Sequence, residues 1–155
     1  MKNDFVRTPK EVTEALLRYE GFDGGILEPC CGDGAISEVL LKNNYEVISS
    51  DKFDYGYGVQ QDLFDIMERP ANIITNPPFT QQQLVKKHLL GLTRKKLALL
   101  WYVKNLGNEV ETKTSKNLKC VYVLNKKIEW VETKLGWLFG WYVWEKGYEG
   151  DIIIN

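Results

Sequence analysis

Gly25-Ile26-Leu27-Glu28-Pro29-Cys30-Cys31-Gly32-Asp33-Gly34, running on into Ala35 to Lys42, is the stretch whose reading decides the fold. The apolar run up to Pro29 reads as a buried strand, the two glycines as a tight turn, and Ala35 to Lys42 as a helix. Strand, Gly-rich turn and helix in that order open a nucleotide-binding half-unit of an open α/β sheet. Gly32 and Gly34 allow the backbone to turn sharply and to approach a ligand closely. A dinucleotide loop calls for a third glycine, and Ser37 stands in that place, so a pyrophosphate is not the expected ligand. Carboxylates at Glu28 and Asp33 would repel a phosphate and attract a cation such as an ammonium or a sulfonium.

Downstream, Tyr45 to Ser50 reads as a second strand ending in Asp51, a position suited to accepting hydrogen bonds from ribose hydroxyls. Asp62-Leu63-Phe64 follows; Asp62 could accept from an adenine amino group while Leu63 or Phe64 lies against the base. Each of these acids would, taken alone, be an ordinary loop or cap residue. A third apolar run, Ala71 to Thr75, leads directly into Asn76-Pro77-Pro78-Phe79. The prolines fix φ and remove backbone donors, leaving the Asn76 amide oxygen and the Pro77 carbonyl to accept the two protons of a planar amine. Phe79 could then stack on the ring that carries the amine. Accepting both protons pushes the nitrogen toward sp3 and frees its lone pair. By itself Asn-Pro-Pro is common turn punctuation; the ordered set of Gly-loop, acid, Asp-Leu and Asn-Pro-Pro-Phe is not.

That ordered set resembles the S-adenosylmethionine-dependent N6-adenine methyltransferases, especially the small bacteriophage and prophage forms. The resemblance implies that Glu28, Pro29, Cys30, Gly32, Asp33 and Gly34 form the donor loop. It makes Asp51 the ribose acid and sets Asp62 and Leu63 beside the donor adenine. Thr8 and Pro9, within Phe5-Val6-Arg7-Thr8-Pro9, would lie near the donor's amino acid end. Asn76, Pro77, Pro78 and Phe79 would form the catalytic motif, with Asn76 also beside the donor. The aromatic stretch Phe139 to Tyr148 is similar to the phage group as well. The implied fold is α/β: a Rossmann-like methyltransferase fold, with a mostly parallel seven-stranded sheet, helices on both faces and an antiparallel C-terminal strand. The implied activity is methyl transfer from S-adenosylmethionine to adenine N6, in DNA ahead of RNA. A protein glutamine amide would suit the same acceptor pair. A non-catalytic donor-binding subunit and an unrelated nucleotide-binding fold are the competing readings.

At 155 residues, with a formal net charge of −1, the chain reads as a single domain, 1–155, with one sizeable core. That leaves no room for a separate target-recognition domain, so recognition would fall to a short loop, an oligomer or a partner. The near-neutral charge excludes a strong non-specific phosphate field. Three cysteines, two of them adjacent, fit neither a disulfide framework nor a metal pattern, and no metal is expected. Cys30 and Cys31 read as packing residues. No signal-peptide core and no apolar run of membrane-spanning length is seen, so a cytoplasmic protein without a membrane partner is expected.

Thr8-Pro9-Lys10-Glu11 reads as a helix start with Thr8 as the cap, the helix burying Val12, Ala15, Leu16 and Tyr19 and stopping at Gly21. A helix is expected from about Gln81 to Leu90 and a buried strand from Leu97 to Val103. Asn105 to Asn117 is polar and aperiodic, and reads as a mobile segment that could lie over the site, with a short surface helix or a plain connector as the alternatives. Lys86, Lys113 and Lys116 could contact phosphates if they rim the cleft. Cys120 to Leu124 and Leu138 to Trp144 read as closing strands joined through Ile128 to Gly136, with Trp137, Trp141 and Trp144 in packing roles. His88 is assigned no chemistry.

Overall fold

The computed structural model describes residues 5–111, 116–124 and 138–155. The helices are α1 (Lys10–Tyr19), α2 (Ala35–Lys42), α3 (Gln82–Leu92) and α4 (Leu106–Glu111). The strands are β1 (Ile26–Glu28), β2 (Val47–Asp51), β3 (Val59–Gln60), β4 (Asn72–Thr75), β5 (Lys96–Tyr102), β6 (Leu118–Val123), β7 (Phe139–Glu145) and β8 (Ile153–Ile154). They form one sheet in the order β3-β2-β1-β4-β5-β7-β6-β8. β1, β2, β3, β4 and β5 run parallel. β7 is antiparallel to both β5 and β6. The expected sheet therefore gains an eighth strand: Ile153–Ile154 pairs with β6 at the edge.

Parallel strands buried on both faces read as unbroken apolar runs, which is why β4 and β5 were legible. One core layer gathers Val12 and Leu16 of α1, Ile36 and Leu40 of α2, and Trp141. The other holds Val85 and Leu89 of α3 with Trp101, Tyr142 and Trp144. The Trp141 indole finds its acceptor in the Val12 carbonyl at 2.8 Å, fastening α1 to the antiparallel half of the sheet. At the other end of α1, buried Glu20 accepts from Lys96 and from the Tyr122 hydroxyl at 2.5 and 2.6 Å.

Several local expectations are corrected. Pro9 occupies the cap position of α1, and no side chain caps the helix. Thr8 is buried and turned elsewhere. Thr13 replaces Tyr19 on the buried face, Tyr19 being 67% exposed. Of the readings open for the segment after Asn105, the short helix is the one found over Leu106–Glu111, entered through a 3₁₀ turn, Val103–Asn105. Lys86 cannot rim a cleft, because its ammonium is buried and bonded to both oxygens of buried Glu109 at 2.8 Å. Trp141 and Trp144 are core residues. Lys113, the Ile128–Gly136 connection and Trp137 lie outside the described residues.

The Lys86–Glu109 pair ties α4 to α3, and it yields a stability prediction. Removing one partner leaves a buried charge alone, so Glu109→Gln should cost about 3–5 kcal/mol. The double variant Lys86→Met with Glu109→Leu, which removes both charges, should cost less than that. Urea unfolding of both proteins checks the order.

Candidate active site

The strand order reverses between β1 and β4, and ligands of open α/β sheets bind at the carboxyl edge beside such a switch point. Here the edge is formed by the ends of β1, β2 and β4, and a cavity of about 330 Å³ opens on it. That volume is within the roughly 300–1,000 Å³ typical of small-molecule sites.

The Gly-loop is shaped by hydrogen bonds to β2. The Cys31 amide donates to the Ser50 carbonyl at 2.9 Å and the Gly32 amide to Asp51 Oδ2 at 2.9 Å. Asp51 Oδ1 accepts from the Phe53 amide, also at 2.9 Å. Gly32 and Gly34 have φ of +52° and +88°. A methyl group added at Gly32 would overlap the Phe5 ring, and one at Gly34 the Tyr57 ring. The loop thus approaches aromatic side chains of its own chain, and neither glycine lines the cavity.

Glu28, at the end of β1, is 1% exposed and lines the cavity. The Ser37 hydroxyl donates to Glu28 Oε2 and is itself 2.7 Å from the Ser49 hydroxyl. Burial, opposed by the Ser37 bonds and reinforced by the Asp51 charge, raises its pKa to about 8. At neutral pH Glu28 therefore adds less negative charge to the site than the sequence suggests. Asp33 is likewise offset, by an ion pair with Arg7. Burial pushes the Cys31 thiol up to about 12 and the Cys30 thiol higher still, with the Asp51 charge adding to both. Neither is a ready nucleophile.

Pro29, Cys30 and Asp33 also line the cavity. Asp62 and Leu63 line it too; Asp62 Oδ1 caps the 3₁₀ turn Leu63–Asp65 through the Phe64 amide at 3.0 Å. Asp62 Oδ2 is 3.4 Å from the Lys52 ammonium. Asn76, Pro77 and Pro78 form the wall at the end of β4, and Thr8 reaches the same wall. Asn76 Nδ2 donates to Thr8 Oγ1 at 3.2 Å. Asn76 Oδ1 is buried and has no hydrogen-bond partner among the described residues. Pro9 does not line the cavity. Nor does Phe79, which turns to the far side of the motif and stacks on Tyr102, ring centroids 5.2 Å apart, with Phe139 at 6.1 Å. Reading the sequence did not single out Phe53 and Tyr55, which line the cavity next to Asp51, or the stacking of Phe5 on Tyr55 at 4.7 Å. The signal was present as aromatic residues at every second position from Phe53 to Tyr57. His88 Nε2 lies 2.8 Å from the Leu63 carbonyl.

The sequence matches no protein-family model and no curated protein. Solved structures are similar in fold. The magnesium protoporphyrin IX methyltransferase of Synechocystis, crystallised with bound S-adenosylmethionine, aligns with a TM-score of 0.58 at 14% identity over 86% of this chain and 74% of its own. The fold is the Rossmann-like methyltransferase fold. A Pyrococcus horikoshii protein assigned as an RNA methyltransferase aligns at 0.67 and 18% identity, over 90% of this chain and 86% of that one. A Vibrio vulnificus protein assigned as a modification subunit of a type I restriction enzyme aligns at 0.65 and 10% identity, over 97% of this chain and 46% of that one. Acceptors as different as a porphyrin and an RNA attach to this one architecture, so the fold does not select the acceptor. No described helix is long and apolar enough to cross a membrane, and no described cluster of side chains could hold a metal ion.

The raised pKa of Glu28 predicts a pH-dependent stability. Between the ordinary value of 4.5 and about 8 the folded protein binds a proton that the unfolded chain has released. This contribution is full below 4.5 and is lost as pH rises toward 8. The ligand-free protein should lose stability on the order of a few kcal/mol through Glu28 across that window. Thermal unfolding at stepped pH should show a flatter profile for Glu28→Gln than for the wild type.

Proposed function

We propose that this chain is an S-adenosylmethionine-dependent methyltransferase acting on the N6 amino group of adenine in a nucleic acid, with DNA favoured over RNA. The observation that carries the reading is the Asn76 amide. Its nitrogen is committed to Thr8 and its oxygen is a buried acceptor without a partner among the described residues, while Asn76 as a residue lines the cavity at the switch point. Such an atom in a residue that lines a cavity can take a donor from a bound molecule, and an amino group is one.

The residues present fit S-adenosylmethionine. Asp51 retains lone pairs for ribose hydroxyls beyond the two amide bonds it accepts. Leu63, Phe53 and Phe64 supply apolar surface for a base. Glu28 and Asp33 lie where a cation would favour the carboxylate form of Glu28. When bound, the donor supplies a sulfonium methyl group, whose C–S bond breaks as the new N–C bond forms. Asn76 Oδ1 and the Pro77 carbonyl accept the two amine protons, so the nitrogen lone pair turns out of the ring and toward the donor. One proton is then lost to water from the cationic product, and no prior base is needed. Holding both partners in line supplies much of the acceleration.

Phe79 packs on Tyr102 and Phe139 away from the cavity, so the preference for a flat base over an aliphatic amide rests on the likeness of the Asn76 to Phe79 motif to the adenine enzymes and not on a stacking contact seen in the fold. A glutamine side chain is the second acceptor this pair of acceptors suits.

Labelled S-adenosylmethionine offered with duplex DNA, single-stranded DNA and unmodified RNA, followed by nucleoside analysis, tests the reading. The wild type should form N6-methyladenine. Asn76→Ala should lose at least about a hundredfold in rate, as expected for removal of one oriented polar group at a reacting centre, while binding the donor nearly as well. Asp51→Ala should weaken the donor instead. Donor binding without transfer to any of these polymers would point to a protein acceptor, a missing partner or a regulatory subunit.

A further inference from the structure

We propose that Thr8 is the positioning residue that sets which end of the Asn76 amide meets the acceptor. The inference rests on the methyl-transfer reading of the site and deepens it. An asparagine amide is nearly symmetric in shape, and rotation by half a turn about its last bond exchanges an acceptor for a two-proton donor. With the nitrogen toward the acceptor, Asn76 would meet an amine with N–H facing N–H, and the lone pair would not be freed. Something must therefore hold the NH2 group on the side away from the acceptor.

Thr8 is placed to do so. Its hydroxyl is 3.2 Å from Asn76 Nδ2 across 68 residues of sequence, and it is the one side-chain partner the amide nitrogen has among the described residues. A threonine immediately before Pro at a helix start ordinarily gives its hydroxyl to the first turn. Here α1 receives no side-chain cap, and Thr8 is 4% exposed, its hydroxyl turned to Asn76. The position of Thr8 is over-determined from both sides. Pro9 fixes the backbone that follows, Arg7 pairs with Asp33 of the Gly-loop, and Phe5 stacks on Tyr55. The amino-terminal segment thus links the donor loop to the Asn76 amide, and Thr8 is its contact with the chemistry.

The test separates turnover from donor binding. Thr8→Val keeps the shape and removes the hydroxyl, so kcat should fall roughly tenfold or more, the size expected for one oriented hydrogen bond, with the donor Kd within twofold of wild type. Thr8→Ser keeps the hydroxyl and should stay within about threefold of wild-type kcat, since one methyl group is all it loses. A donor Kd that rises in Thr8→Val at unchanged kcat would overturn the proposal and make Thr8 a donor contact. Equal losses in the Val and Ser variants would overturn it in favour of simple packing. A readout independent of turnover uses the wild type alone: the Asn76 side-chain NH2 protons, assigned by their disappearance in Asn76→Asp, should show intense cross-peaks to the Thr8 β proton and methyl group in a nuclear Overhauser spectrum. Absence of those cross-peaks contradicts the proposal even if Thr8→Val does not fold. A wild type that shows the cross-peaks but transfers no methyl group to DNA or RNA counts against the nucleic-acid reading instead, leaving the amide orientation established.

Discussion

The carboxylate of Asp51 accepts one amide from the Gly-loop and one from the turn that follows β2, and the remaining geometry of the site depends on this double bond to the backbone. The Gly32 amide is held with φ at +52°, which commits the loop to pass under Phe5 and deliver Gly34 to the start of α2. The Phe53 amide is held at the same time, which turns Phe53 and Tyr55 toward the cavity. One side chain thereby joins the two halves of a ligand site, and because it does so with one lone pair from each oxygen it retains acceptor capacity for a ligand hydroxyl. An alanine at this position would lose both contacts, and an asparagine would set a donor against one of the two amides.

Charge around the cavity is balanced by local pairing. Arg7 meets Asp33 and Lys52 meets Asp62. Glu28 is left with Ser37, through its hydroxyl and its amide, so its burial makes the neutral acid the favoured form near neutral pH. A cationic ligand would reverse that preference. The polar wall opposite is built on a different rule: the Asn76 amide uses one end to bond Thr8 and keeps the other end unpaired, a cost that a rigid Pro-Pro backbone and a buried neighbour can sustain and that an incoming donor group would offset.

The parallel sheet was legible in the sequence because each of its central strands is a short unbroken apolar run between turn residues, and α2 because a Gly-Asp-Gly turn precedes it. What escaped was decided by partners far away in the chain. Thr8 looked like a cap because its neighbours Pro9 and Glu11 fit a helix start, but its hydroxyl is claimed by Asn76. The segment after Tyr102 looked aperiodic because α4 is anchored by a buried Glu109 beside Leu106, in a largely polar sequence. β8 is two residues long and exposed at the sheet edge, so it carries no alternation to read. Phe79 was placed correctly beside Asn76 in sequence, yet its ring packs on Tyr102 and Phe139, which the local pattern could not announce. The motif residues of the candidate site were legible as a set; the protonation of Glu28 and the Arg7–Asp33 pairing depend on burial and on contacts across the fold.

The measurement that bears most directly on the account is a crystal structure of the chain with S-adenosylhomocysteine. The account predicts the ribose hydroxyls on Asp51, the base near Asp62 and Leu63, and the sulfur on the side of the cavity walled by Asn76 and Pro77. A ligand lodged elsewhere on the sheet, or a cavity that stays empty at saturating ligand, would contradict it.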